Sequence, residues 1–241
     1  MPDPWSTFKK TSLEDSMRAV QILGAAAVGS LLLSCYNPGV YVPPELASVT
    51  RLEVKGRGGW HAAERLTFGE YQTVRRHQVG AALRTVVQLA GASVEEPIEF
   101  VLRAREQDLV TVRCGSVERP EHPGVWSTGQ RLSCALRPVG GDSATEWRLT
   151  VRTDPYEVPS GDLVGPASRL QVVGSVQDPE GQVLLDARPL GYYVRDGRRA
   201  LAAVEVLGGG AAWMDAALSP GQRELIAGAL AALIIWDGLL R

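Results

Sequence analysis

Three lysines, three cysteines and three histidines are all that the 241 residues contain. Lys9, Lys10 and Lys55 cannot make a basic face, and the formal net charge is −2. A nucleic-acid partner, which needs a concentrated positive surface, is therefore not expected. Arginine far outnumbers lysine, a bias that reads as GC-rich coding before it reads as function. His61, His77 and His122 stand apart, and no C-x-x-C or H-x-x-x-H occurs. Zinc sites usually show such paired ligands, so no metal is expected. The chain also lacks G-x-S-x-G, H-E-x-x-H, G-x-x-x-x-G-K-[ST] and a strand-borne G-x-G-x-x-G, the local signatures of several hydrolases and nucleotide binders. No cofactor is expected, and no catalytic residue is named.

Weaker candidates are few. Trp60-His61 lies beside three glycines, where a surface loop is the plainer reading. Arg75-Arg76-His77 is a small positive cluster of the kind usually found at a solvated strand end. Glu95-Glu96 and Glu118 through Glu121 offer carboxylates, but nothing sets a pair at the separation that glycoside hydrolysis needs. Tyr192-Tyr193 should send one ring to each face of a strand, because successive side chains alternate. One is then expected in the core and the other exposed.

What is present is a β pattern. Val49–Lys55 alternates apolar and polar side chains and stops at Gly56-Arg57-Gly58-Gly59, as a half-buried strand does. Strand-like runs follow at 64–68, 71–75, 84–90, 97–104, 108–114, 131–137 and 146–152. After a stretch rich in proline and glycine at 154–168 they resume at 170–176, 182–186, 191–195, 199–206 and 211–214. Asp196-Gly197 is a two-residue hairpin signal, since glycine accepts positive φ. Short strands about ten residues apart indicate antiparallel pairing in a sandwich or barrel, in one or two lobes.

The C-terminus changes character. Ser219-Pro220 is an N-cap followed by proline at the first helical position, and Glu224 is placed in the positive first turn. Leu225 to Trp236 is apolar or small throughout, and Asp237 interrupts the run. A membrane span needs about 20 apolar residues. A helix apolar all round is instead buried on several sides. Pro220–Leu240 is therefore expected to be one helix packed on the sheet of the second lobe.

At the other end, Arg18 precedes an apolar run, Gly24–Leu33, and Leu32-Leu33-Ser34 abuts Cys35. This order resembles the export signal and lipobox of a bacterial lipoprotein. The resemblance covers this segment alone, with Met17 as an alternative start. It implies removal of residues 1–34, lipidation of Cys35 and attachment to a membrane by several acyl chains. About 200 residues would remain, enough for a real core. Residues 35–46, with Pro38-Gly39 and Pro43-Pro44, read as a tether. Residues 47–153 read as a first β lobe, 154–168 as a linker loop, and 169–241 as a second lobe with the helix.

An exported chain meets oxidising conditions. Cys114 and Cys134 lie in neighbouring strand-like runs and are expected to form a disulfide. A metal site using the intervening His122 is the competing idea. The functional expectation is a lipid-anchored protein of the cell envelope, on the outer membrane and facing periplasm or surface. It would be a non-enzymatic β module that binds a partner protein or glycan. The alternative is an exported hydrolase whose site is assembled from residues distant in sequence.

Overall fold

A computed structural model describes residues 39–56, 65–77, 98–120, 128–154, 157–184, 188–207 and 210–239. The expectations at Cys35, Trp60, His61, 84–90, Glu95, Glu96 and His122 lie outside these residues, as does the export segment.

The alternating runs become twelve strands: β1 (Leu52–Lys55), β2 (Thr67–Phe68), β3 (Tyr71–His77), β4 (Ile98–Ala104), β5 (Gln107–Pro120), β6 (Thr128–Pro138), β7 (Trp147–Asp154), β8 (Glu157–Val164), β9 (Arg169–Ser175), β10 (Gly191–Asp196), β11 (Arg199–Glu205) and β12 (Ala211–Met214). Each pairs antiparallel with its neighbours in sequence, and β1 pairs with β12 to close a barrel. Closure removes every free sheet edge. The 154–168 stretch is therefore not a linker between lobes. It contains β8, hydrogen-bonded to β7 and β9. Its prolines hid the strand from a pattern reading, because proline weakens strand signals even where the ladder tolerates it. Of the 182–186 run, the described residues 182–184 include the isolated bridge Gln177↔Val183.

Pleat alternation sets the two faces. Phe100, Leu102, Val110, Val112, Leu132, Leu136, Leu149, Val151, Leu163 and Val172 point inward and are buried. Cys114 and Cys134, also inward, sit directly opposite each other in the β5–β6 ladder. They form the expected disulfide, with Cα atoms 3.9 Å apart, just below the usual range of about 4.4–6.8 Å. By loop-closure entropy a loop of this size is worth roughly 3 kcal/mol.

A barrel of about eight strands can be filled by its own side chains, but a wider one cannot. Here the filling is the C-terminal helix α1 (Pro220–Leu239). It touches β4, β5 and β6 and also β11, and β11 stands opposite β5 in the ring of twelve. Every residue from Leu225 to Asp237 is buried, and the helix shares one apolar core with inward side chains of all twelve strands. The helix therefore runs through the lumen, where an all-round apolar surface is satisfied on every side. Ser219 and Gln222 cap its start reciprocally: the Gln222 amide donates to Ser219 Oγ, and the Ser219 amide and hydroxyl donate to Gln222 Oε1. Glu224 lies beyond the first turn. Burial, and then the nearby Glu70 carboxylate, raise its pKa rather than favouring its charge.

The two barrel ends differ. One is closed by tight turns such as Gly69-Glu70, Arg105-Glu106 and Gly197-Arg198. At the other, the loop end, strands β1, β3, β5 and β9 finish. The helix starts at the turn end, after β12, and finishes at the loop end.

Residues 40–49 are not a free spacer. They form a strap on the outside of β10–β12. Val40 and Leu46 are buried with Leu190, Tyr193, Ala203 and Trp213 in a second, smaller core. The Tyr41 amide donates to the Gln177 carbonyl at 3.0 Å, and Tyr193 Oη donates to the Tyr41 carbonyl at 2.6 Å. A Pro-rich stretch reads as extended spacer, but here its extended backbone lies along the wall. Tyr192 and Tyr193 do take opposite faces, yet both are buried. Tyr192 meets Trp236 in the lumen, with ring centroids 6.5 Å apart, while the strap covers Tyr193.

Candidate functional site: a polar groove on the outer wall

With the lumen occupied, the accessible chemistry lies outside. The outward positions of β5–β9 carry Arg113, Arg131, Ser133, Arg137, Arg148, Arg152, Ser160, Arg169 and Gln171, all exposed. Alternation dictates this, since their sequence neighbours fill the core.

On β7–β9 the wall holds a groove of about 440 Å³, lined by Thr150, Arg152, Ser160, Gly161, Asp162, Gln171, Val172 and Val173. Register places Thr150, Asp162 and Gln171 side by side across three strands, and Arg152 beside Ser160. Gly161 permits the close strand approach at the floor, because a Cβ there would lie 1.8 Å from the Thr150 carbonyl oxygen. The volume falls within the range of about 300–1,000 Å³ typical of small-ligand clefts.

Charge in the groove is uneven. Asp162 is already neutralised: Arg169 Nε donates to Oδ1 at 2.9 Å and Nη2 to Oδ2 at 2.7 Å. That fork holds the Asp162 carboxyl below its ordinary pKa. Elsewhere on the wall arginines have acids beside them, as with Arg113–Glu99 at 3.2 Å and Arg137–Glu146 at 2.8 Å. Arg131 and Arg152 differ. They face each other directly across β6 and β7, and among the described residues neither has an acidic partner. Like charges in directly opposed positions destabilise a sheet. Arg195, the cross-strand neighbour of Gln171, lies over the Tyr193 ring at 5.0 Å. Its buried Nε has no hydrogen-bond partner.

The candidates named from sequence are not gathered here. His77 ends β3 and Arg75-Arg76 precede it on the same strand, while Glu118 lies on β5, away from the groove. Among the described residues no three His, Cys, Asp or Glu converge as a metal site would require. Sequence reading passed over Arg131, Arg152 and Arg195 because each looks like one more solvated strand arginine. Only cross-strand register makes them neighbours of one groove. No protein-family model, curated protein or solved structure matches the chain.

Proposed function

We propose that the protein is a lipid-anchored module of the bacterial cell envelope, held by acyl chains on Cys35, that binds a glycan or partner protein on its outer wall. The observation that carries this reading is the helix filling the lumen. Among the described residues the helix takes up the lumen, so recognition is assigned to the exterior and the ends. The wall itself is unsuited to lipid. Arginine on a lipid-facing strand costs about 2–4 kcal/mol at the bilayer midplane, and Arg113, Arg131, Arg148 and Arg152 all point outward. No helix among the described residues is long and apolar enough to cross a membrane. Attachment through lipid supplies what neither element provides.

Export also suits the buried Cys114–Cys134 disulfide, which persists in oxidising compartments. The test is metabolic labelling of the full chain with a clickable fatty acid in a bacterial host, followed by membrane fractionation. Wild type should carry label and sediment with membranes, and Cys35→Ala should lose both. Unprocessed, unlabelled wild-type chains free in the cytoplasm would refute the reading.

A further inference from the structure

We infer that the groove on β7–β9 is a binding site for an acidic glycan, with Arg131, Arg152 and Arg195 meeting its negative groups. This deepens the binding-module reading by naming a ligand class, and it depends on the groove rather than on the anchor.

Arg131, Arg152 and Arg195 have no acidic partner among the described residues. Arg131 and Arg152 are opposed across the ladder without an acid between them. An arrangement that costs stability when empty is relieved by an anion bridging the two guanidiniums, whose planar forks match carboxylate or phosphate oxygens. Arg195 closes the far side. It is held over the Tyr193 ring, on the strand beside the groove residue Gln171. Arg152 and Arg195 stand on β7 and β10, three strand spacings apart, or about 14 Å between backbones. That span exceeds a single phosphate or carboxylate and suits a short chain bearing more than one negative group.

The residues between the cations select the class. Thr150, Ser160 and Gln171 line the groove and offer hydroxyl and amide groups that both donate and accept, as a row of sugar hydroxyls requires. The Asp162 carboxylate, its charge balanced by Arg169, adds acceptors for sugar hydroxyls without net repulsion of an anion. Nothing in the lining resembles the aromatic platform on which nucleic-acid bases stack. A flat apolar patch for an anchoring protein side chain is absent from it as well.

The test uses the full-length chain in detergent, titrated by isothermal calorimetry. The probes are hexagalacturonate, mannopentaose phosphate, neutral mannopentaose and inorganic pyrophosphate. At least one acidic oligosaccharide should bind, with an affinity that falls steeply with salt and exceeds that of neutral mannopentaose and of pyrophosphate at least tenfold. Arg152→Gln and Arg195→Gln should each weaken that binding at least fivefold, while Arg148→Gln, paired with Glu146 outside the groove, should not change it. Thermal melts of the three variants establish that they are folded, and Arg152→Lys, which keeps the charge, should retain part of the affinity. Failure of both acidic oligosaccharides to bind overturns the proposal. So does pyrophosphate binding as tightly as they do, or indifference of binding to both Arg152 and Arg195. None of these results touches lipidation of Cys35, which is read separately by labelling.

Discussion

At the scale of single residues, the barrel's costs concentrate where side chains cannot choose their backbone. Arg105 and Glu106 form the β4–β5 turn with φ of 47° and 66°. Two-residue hairpin turns require positive φ, which glycine adopts freely and other L-residues adopt at a cost of about 1–2 kcal/mol. The Gly197 turn, with φ of 56°, shows the cheaper solution in the same barrel. Glu106→Gly should therefore raise stability by about 1 kcal/mol, read as an increase in the denaturation midpoint at unchanged slope. The ion pair it removes, Arg103 Nη1 to Glu106 Oε2 at 3.9 Å, is too exposed to offset this. A lowered midpoint would show that the pair outweighs the turn strain. The disulfide was legible at this scale, because Cys114 and Cys134 stand in neighbouring strand-like runs. The groove arginines were not, since opposition across a ladder is a property of register.

At the scale of elements, α1 is the decisive piece. Its start was legible in Ser219-Pro220, and its burial in the unbroken apolar run. Its seat inside a barrel was not, because hydrophobicity reports that a helix is covered without saying by what. Fully burying one large aliphatic side chain stabilises by roughly 1.5–3 kcal/mol, and Ile226, Leu230 and Leu233 are all essentially inaccessible. A chain ending at Ser219 would leave these partners facing an open apolar lumen. It should be aggregated or unfolded, with no cooperative melt by circular dichroism. A monomeric product melting near the parent temperature would mean that the barrel stands without its plug.

The same helix carries a pH signature at Glu224. Burial first, and Glu70 second, raise its pKa in the folded state, so the folded protein holds this proton more tightly than the unfolded chain. Stability from this group is complete below the ordinary glutamate pKa of about 4.3 and is lost as pH rises through the raised value. Glu224→Gln should remove that decline, seen as a flatter plot of melting temperature against pH on the alkaline side of the ordinary carboxylate range. An unchanged slope would place the titration elsewhere.

For the whole molecule, the strap would link the proposed lipid anchor to an orientation. Val40 is seated at the loop end, where its Cγ2 lies close to Gly191 at the start of β10. Four residues lie between it and Cys35, so the chain spans at most about 18 Å. If Cys35 bears lipid, the loop end is held beside the membrane and the turn end stands off by about the 30 Å length of the helix. A fluorophore on a cysteine at Lys55, at the loop end, should be quenched by spin-labelled lipid more strongly than one at Gly140, at the turn end. Equal or reversed quenching in the lipidated protein would refute this orientation without bearing on lipidation itself. The groove would then lie on a flank, open to ligands running alongside the membrane.

Local chemistry alone determined a good deal of this protein. Period-two alternation, a Ser-Pro helix start, an Asp-Gly turn and two strand cysteines specified an antiparallel β fold with a buried C-terminal helix and a disulfide, because each depends on neighbours within a few residues. The tertiary structure decided the rest. Closure of twelve strands into one ring rather than two lobes depends on β1 meeting β12, a pairing across most of the chain. That closure created a lumen wide enough to take α1, turned a Pro-rich spacer into a strap, and buried Tyr193 on the outer face. It also set Arg131 against Arg152 and brought Arg195 to the same groove, since only the register of a completed sheet brings outward side chains from separate strands together.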